Sequence, residues 1–419
     1  MPTGGGTRAT ASGAYYRRVD AGALSKLLSP EGWALLGQLP PYDEDTALRL
    51  ATGLRERGVD PDLVAAAMTQ SRLRARARGK FGEFADGMLF TPAGLEQATR
   101  LAVGAHHAAR YARAGATLVA DLGCGIGGDA MALGALGLHV LAVERDELTA
   151  AVATVNLRHF PEVTVRHGDA LALDLRSAGV DAVFADPARR TRGGRRVFDP
   201  RAYSPTLDEV LALREQVPEL GLKVAPGIPH SLLPADAHAQ WVSVGGDVVE
   251  AGLWFGDLAP EGPGRSALVL TADDEPHRLH DPEVTAADAS VRRGEVRPLD
   301  HYLYEPDGAV IRAGLVAQAG EQVDAGLVAE SIAFLTGPRL VRSPFLTAYR
   351  VVDSFPFSLK PLRTYLRDRQ VGTLTIKKRG TAVEPGQLRR QLSLTGPQSA
   401  TIVLTRVAGR QRVIVVEPV

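Results

Sequence analysis

Residues 117–129 read T-L-V-A-D-L-G-C-G-I-G-G-D, and no other stretch constrains the chain as much. The apolar run Leu118, Val119, Ala120 has the length and make-up of a buried parallel strand. It ends in Asp121. Gly123, Gly125, Gly127 and Gly128 follow within a few residues, and a helix-compatible run begins at Asp129. Strand, glycine-rich turn and helix in this order let backbone N–H groups point at a nucleotide-like ligand, and glycine lets that ligand come close to the chain.

The ligand can be narrowed by charge. Gly123-x-Gly125-x-x-Gly128 satisfies the dinucleotide fingerprint, which alone is a weak signal. Asp121 weighs against it, because a carboxylate at the strand end repels a pyrophosphate. S-adenosylmethionine has no phosphate, and its ammonium and sulfonium groups are cationic. D-x-G-x-G-x-G-G therefore suits S-adenosylmethionine, and it resembles the first motif of the class I methyltransferases that use it.

Three more acids fall in a matching place. The strand pattern at 138–143 ends in Glu144, about 20 residues after the glycine turn, where an acid can accept both ribose hydroxyls. The pattern at 163–167 is followed by Asp169, placed to accept from an adenine amino group. The pattern at 180–185 ends in Asp186-Pro187. Four acids at four successive strand ends lie along one edge, which in a doubly wound sheet is the ligand edge. The expected cofactor set is Asp121, Gly123, Gly125, Gly127, Asp129, Glu144, Arg145, Asp169 and Ala170. The expected catalytic set is Asp186, Pro187 and Arg189.

At 419 residues the chain has room for two or three domains. No run approaches the roughly 18 apolar residues of a membrane span, and the first twenty residues carry no apolar signal region. Cys124 is the only cysteine. An intrachain disulfide is therefore impossible, a cysteine metal cluster is excluded, and a reducing cytoplasm is the expected location. Cys124 reads as small turn filling. No histidine pair has metal-ligand spacing, so no metal is expected.

The net charge of zero is a cancellation. From residue 339 onward the chain carries fifteen Lys and Arg against Asp353, Asp368, Glu384 and Glu417. Arg72, Arg74, Arg76, Arg78 and Lys80 form a second basic cluster. Arg189, Arg190, Arg192, Arg195, Arg196 and Arg201 form a third. Clustered base on a neutral chain points to a polyanionic partner, and three clusters together favour nucleic acid.

The expected organisation is a disordered tail over 1–20 and a helical domain over 21–115. An α/β core follows over 116–274, then a linker over 275–298 and a small α+β domain over 299–419. Cap-plus-proline signals at Ser29-Pro30 and Thr91-Pro92 open helices, the second expected to run unbroken to Ala114. Residues 71–80 fit either a helix with charge all round or an extended segment with its arginines on one side. Helices are expected at 310–319, 359–368 and 385–391. Strands at 241–244, 248–254 and 267–271 are expected to close the core sheet antiparallel.

The whole chain resembles a bacterial family of class I S-adenosylmethionine-dependent methyltransferases with a THUMP-like C-terminal domain. The resemblance is carried by residues 121–129, by F-A-D-P-A-R-R at 184–190 and by G-T-L-T-I-K-K-R-G at 372–380. The segment L-F-T-P-A-G-L-E-Q-A-T at 89–99 is similar to the stretch before the cofactor site in trimethylguanosine-synthase-like enzymes. The resemblance implies a Rossmann-like seven-stranded core. It also implies RNA as substrate, because THUMP domains belong to RNA-modifying enzymes. Amino-methylating members of the class read Asp or Asn, Pro, Pro, aromatic at the acceptor position. Here Asp186-Pro187 is kept, while Ala188 replaces the second proline and Arg189 the aromatic. An arginine guanidinium can also stack on a base. The expected activity is methylation of a base nitrogen of rRNA or tRNA. Methylation of a small molecule or protein is a second reading. A non-catalytic module binding S-adenosylmethionine and RNA is a third, and a nicotinamide oxidoreductase a remote fourth.

Overall fold

A computed structural model describes residues 21–188, 199–286 and 294–419. These fall into two compact units. The first holds residues 21–188, 201–222 and 256–258, and the second holds the remainder. The expected tail over 1–20 lies outside the described residues, as does 287–293 of the expected linker.

The first unit opens with helices α1 (Ala21–Leu28), α2 (Pro30–Gln38), α3 (Glu44–Glu56) and α4 (Pro61–Phe81). Ser29, Asp43 and Asp60 each cap the following helix by accepting a backbone N–H. The ambiguous stretch 71–80 is helix, the second half of α4. Residues 92–114 form two helices, not one: α5 (Pro92–Gln97) and α6 (Leu101–Ala114). Ala98 and Arg100 between them have extended backbone. The helix-end carbonyls left there are met from outside by Lys80, and the Thr99 hydroxyl between the two helices donates to Asp129.

The α/β part then runs β1 (Leu118–Leu122), α7 (Gly128–Ala135), β2 (His139–Glu144), α8 (Glu147–Asn156), β3 (Val163–His167), β4 (Ala182–Ala185), α9 (Leu207–Ala212) and β5 (Leu220–Val224). The strands are parallel in the order β3-β2-β1-β4-β5. The chain leaves β1 towards β2 on one side and returns at β4 on the other. Ligands of such sheets sit at that reversal, outside the carboxyl ends of the strands.

In the second unit β6 (His238–Val244), β7 (Asp247–Trp254), β8 (Gly264–Leu270) and β9 (Pro276–Asp281) lie in the order β7-β6-β8-β9. Two expectations fail here. β8 runs parallel to β6, not antiparallel, and β9 occupies what reads in sequence as linker. β9 is an edge strand that buries only Leu279 and Asp281, so its sequence lacks strand alternation. A proline at its first residue is tolerated there.

The C-terminal elements are β10 (Tyr302–Pro306), α10 (Gly308–Ala313), α11 (Val316–Glu321), β11 (Gly326–Ala329), β12 (Ile332–Gly337), β13 (Leu346–Pro356), α12 (Leu359–Asp368), β14 (Val371–Lys378), α13 (Pro385–Leu392), β15 (Gln398–Val407) and β16 (Arg410–Pro418). The expected helix at 310–319 breaks at Gly314, whose φ of 75° ends α10. The seven strands lie in the order β11-β12-β10-β13-β16-β15-β14. The sheet is rolled, since Lys377 of β14 reaches Glu305 of β10 (2.5 Å) and Ala408 N–H donates to Val328 O (3.2 Å). One face of β14–β16 packs on Leu362, Leu366, Leu388 and Leu392 of α12 and α13. The other packs on Leu303, Val328, Ile332 and Phe334.

His230 in the second unit is acid-sensitive. Its Nε2 lies 2.7 Å from Arg312 O and its Nδ1 2.5 Å from Arg265 Nη1. With Nε2 donating to the carbonyl, Nδ1 must be the bare nitrogen that accepts from Arg265. Burial first, then the nearby Arg265 charge, holds its pKa below the usual histidine value. The unfolded chain therefore binds more protons, and stability is lost as pH falls through the unfolded value, from about 7 to about 5. Denaturant unfolding across that range should show a loss that His230→Gln reduces.

Candidate active site

The glycine turn sits at the carboxyl end of β1. Gly123, Gly125 and Gly127 have φ of 84°, 56° and 90°, a region that L side chains enter only at a cost. At Gly123 space is also short, because a Cβ there would lie 2.9 Å from the Asp186 carbonyl oxygen. The end of β4 therefore abuts the turn. Gly123 and Cys124 N–H both donate to Val143 O (2.9 and 3.1 Å), which ties the turn to β2.

The expected acids come together in part. Asp121 is buried on β1. Glu144 ends β2, and its carboxylate accepts from Gly125 N–H (3.0 Å) and Asp146 N–H (2.8 Å), which sets it beside the turn. Asp169 is exposed after β3 and accepts from Leu171 N–H (3.1 Å), leading into the turn that holds Ala170. Arg145 is exposed, and its carbonyl meets His167 Nε2 at 3.1 Å. Asp186 is half-buried, and its N–H donates to Leu122 O (3.1 Å). Pro187 is buried. Ala188 pairs with Ser204 through two backbone bonds (3.0 and 3.2 Å). Arg189 and most of the third basic cluster lie outside the described residues.

Asp129 is placed differently from the others. It is buried in the first turn of α7, where it accepts from the Thr99 hydroxyl (2.6 Å) and meets His107 Nδ1 at 2.8 Å. It joins the turn to α6. The His107 ring lies 5.2 Å from the Phe184 ring on β4. Burial pushes the Cys124 thiol well above its usual pKa, with Asp121 and Glu144 adding to the rise. Cys124 is a neutral filler of the turn, not a nucleophile.

A strap, residues 86–90, runs beside the turn and is held along its length; Asp86 and Gly87 close a 3-10 helix over Gly82–Gly87, and the backbone becomes extended at Met88. Arg78 forks onto Asp86 (2.8 and 3.2 Å), Arg74 donates to Met88 O (2.9 Å), and Gln70 exchanges two bonds with Phe90 (2.8 and 3.0 Å). Four helical residues advance about 6 Å, which sets positions 70, 74 and 78 of α4 against Phe90, Met88 and Asp86 in turn. Asn156 at the end of α8 completes the grip. It exchanges two bonds with Leu89 (2.7 and 3.0 Å) and donates to Ile126 O (2.9 Å). Arg72 pairs with Glu44 at 3.7 Å and Lys80 caps α5. The second basic cluster is thus largely internal structure. Gln70, Thr99, His107 and Asn156 have no sequence motif that marks them.

Among the described residues no group of three or more His, Cys, Asp or Glu could hold a metal ion, and no helix is long and apolar enough to cross a membrane.

Residues 120–188 match a methyltransferase domain, 346–418 a THUMP domain-like family and 20–77 a domain of unknown function. An uncharacterized S-adenosylmethionine-dependent methyltransferase of Mycobacterium tuberculosis, found in two strains, is 34% identical over 349 residues, covering 80% of this chain and 90% of the relative. A crystal structure from Porphyromonas gingivalis W83, provisionally assigned as a methyltransferase, superposes with a TM-score of 0.66 at 21% identity, over 90% of this chain and 99% of that one. That likeness shows the fold. With a relative this similar over four-fifths of its length, the chain belongs to the S-adenosylmethionine-dependent methyltransferases.

Proposed function

We propose that this enzyme methylates RNA, at a base nitrogen of rRNA or tRNA. The observation that carries the reading is a basic face in the THUMP-like part. Lys360, Arg367 and Arg390 are exposed on α12 and α13. Arg363 and Arg389 bond to neutral carbonyls and keep their charge. Arg369 lies over the Tyr365 ring at 3.5 Å. Such a face favours a phosphate backbone.

The turn fits the cofactor. Gly123 lets the end of β4 come against the turn, which sets Asp186 beside it. The expected ligand contacts at the strand ends, Asp121, Glu144, Asp169 and Asp186, are all carboxylates that accept hydrogen bonds, which suits a cationic ligand and not a pyrophosphate. Bound there, S-adenosylmethionine supplies a methyl group already activated on sulfur. Asp121 and the glycines hold its methionine part, Glu144 the ribose hydroxyls and Asp169 the adenine amino group. Asp186 accepts an N–H of the acceptor base, turns its nitrogen lone pair towards the methyl and receives the displaced proton. The base must be unstacked or single-stranded to reach it.

The test is transfer of labelled methyl from S-adenosylmethionine into total RNA of a strain lacking the protein. Label in RNA that RNase removes is the expected result. Label absent from RNA but present in protein or in small molecules would replace the RNA reading.

A further inference from the structure

The glycine turn is gripped from both sides of the sequence, by α8 after it and by α5 and Thr99 before it. Asn156 Nδ2 donates to Ile126 O (2.9 Å), and Thr99 donates to Asp129 (2.6 Å). The closest grip is α5. Gly94 lies against the Ile126 side chain so tightly that a Cβ there would sit 2.4 Å from Ile126 Cγ2.

α5 has six residues, far too few to hold its shape alone. Thr91 caps its start through Gly94 N–H (2.9 Å). Lys80 holds its end, with Nζ donating to the carbonyls of Leu95 (2.9 Å), Glu96 (2.9 Å) and Ala98 (2.7 Å). These are carbonyls of the kind that a helix end leaves without partners, and a cation is the favoured donor to them. Lys80 belongs to α4, a 21-residue helix that also fixes the strap. It is the link between a long braced helix and the short one resting on the turn.

We infer that Lys80 is a positioning residue for the cofactor. By pinning α5 against Ile126 it keeps the turn in the form that takes S-adenosylmethionine, so the N-terminal helices set cofactor affinity. The inference rests on the reading of residues 123–128 as the cofactor turn.

The full-length protein is titrated calorimetrically with S-adenosylhomocysteine, and hydrogen exchange is followed with and without it. In the wild type the ligand should slow exchange at 123–128. Lys80→Met should weaken binding about tenfold or more and speed exchange in α5. Lys80→Arg still donates to carbonyls and should stay within about threefold of wild type. Gly94→Ala pushes α5 off Ile126 without touching Lys80, and should weaken binding as Lys80→Met does. Wild-type affinity in a folded Lys80→Met overturns the inference, even if its melting temperature falls. If Lys80→Met does not fold, wild-type affinity in Gly94→Ala alone overturns it. Binding to the wild type with no slowing at 123–128 would instead refute the assignment of the turn, and the inference with it.

Discussion

Replacing Asp186 by alanine should lower the methyl-transfer rate by about 100- to 10,000-fold, the range for losing a group that positions and deprotonates the acceptor. Binding of S-adenosylhomocysteine should change by less than about threefold, because the lost contact belongs to the transition state and not to the bound cofactor. Two backbone contacts set this residue beside the turn. Its N–H donates to Leu122 O at 3.1 Å, and its carbonyl faces Gly123. Truncation at Cβ leaves both intact, so the turn should keep its form. Asp186→Asn keeps an oxygen that accepts an N–H but loses proton acceptance, and should retain more activity than alanine. Single-turnover kinetics with labelled S-adenosylmethionine on the proposed RNA acceptor, beside a calorimetric titration, separates rate from binding. Full activity in Asp186→Ala would remove Asp186 from the chemistry.

The core was legible because each of its strands combines an apolar run with a defined stop. Leu118–Leu122 ends at glycines, His139–Glu144 in Glu144, and Ala182–Ala185 before Asp186-Pro187. Period and punctuation agree there. β9 was illegible because an edge strand with two buried residues has no alternation to read. The break between α5 and α6 was hidden for another reason: the groups that hold it, Lys80 and Asp129, are distant in sequence. The arginines of α4 carry more than the cluster suggested, since Arg74 and Arg78 also hold the strap. Charge counts show how many cations there are and not where their partners sit. Asp129 shows the same limit inside the motif itself. It lies within the glycine signature, but its carboxylate is engaged with Thr99 and His107.

Lys223→Met should destabilise the protein by about 3–5 kcal/mol, the usual result of removing one partner of a buried ion pair. Lys223 and Glu250 are 3% and 2% exposed, and their charged groups lie 3.9 Å apart. Methionine nearly matches the aliphatic stem of lysine, so packing changes little. What changes is that the Glu250 carboxylate loses the Lys223 charge in surroundings that solvate a charge poorly. At about 2–4 °C per kcal/mol for a domain of this size, the melting temperature should fall by about 6–20 °C. The second variant decides the cause. In Lys223→Met/Glu250→Leu both charges are gone, and most of the lost stability should return, because an apolar pair of similar volume commonly equals or exceeds a buried ion pair. A loss arising from packing would persist in the double variant, since neither removed volume is restored. Thermal and denaturant unfolding of the wild type, both single variants and the double variant complete the cycle. Coupling near zero would show that the two charges do not depend on one another.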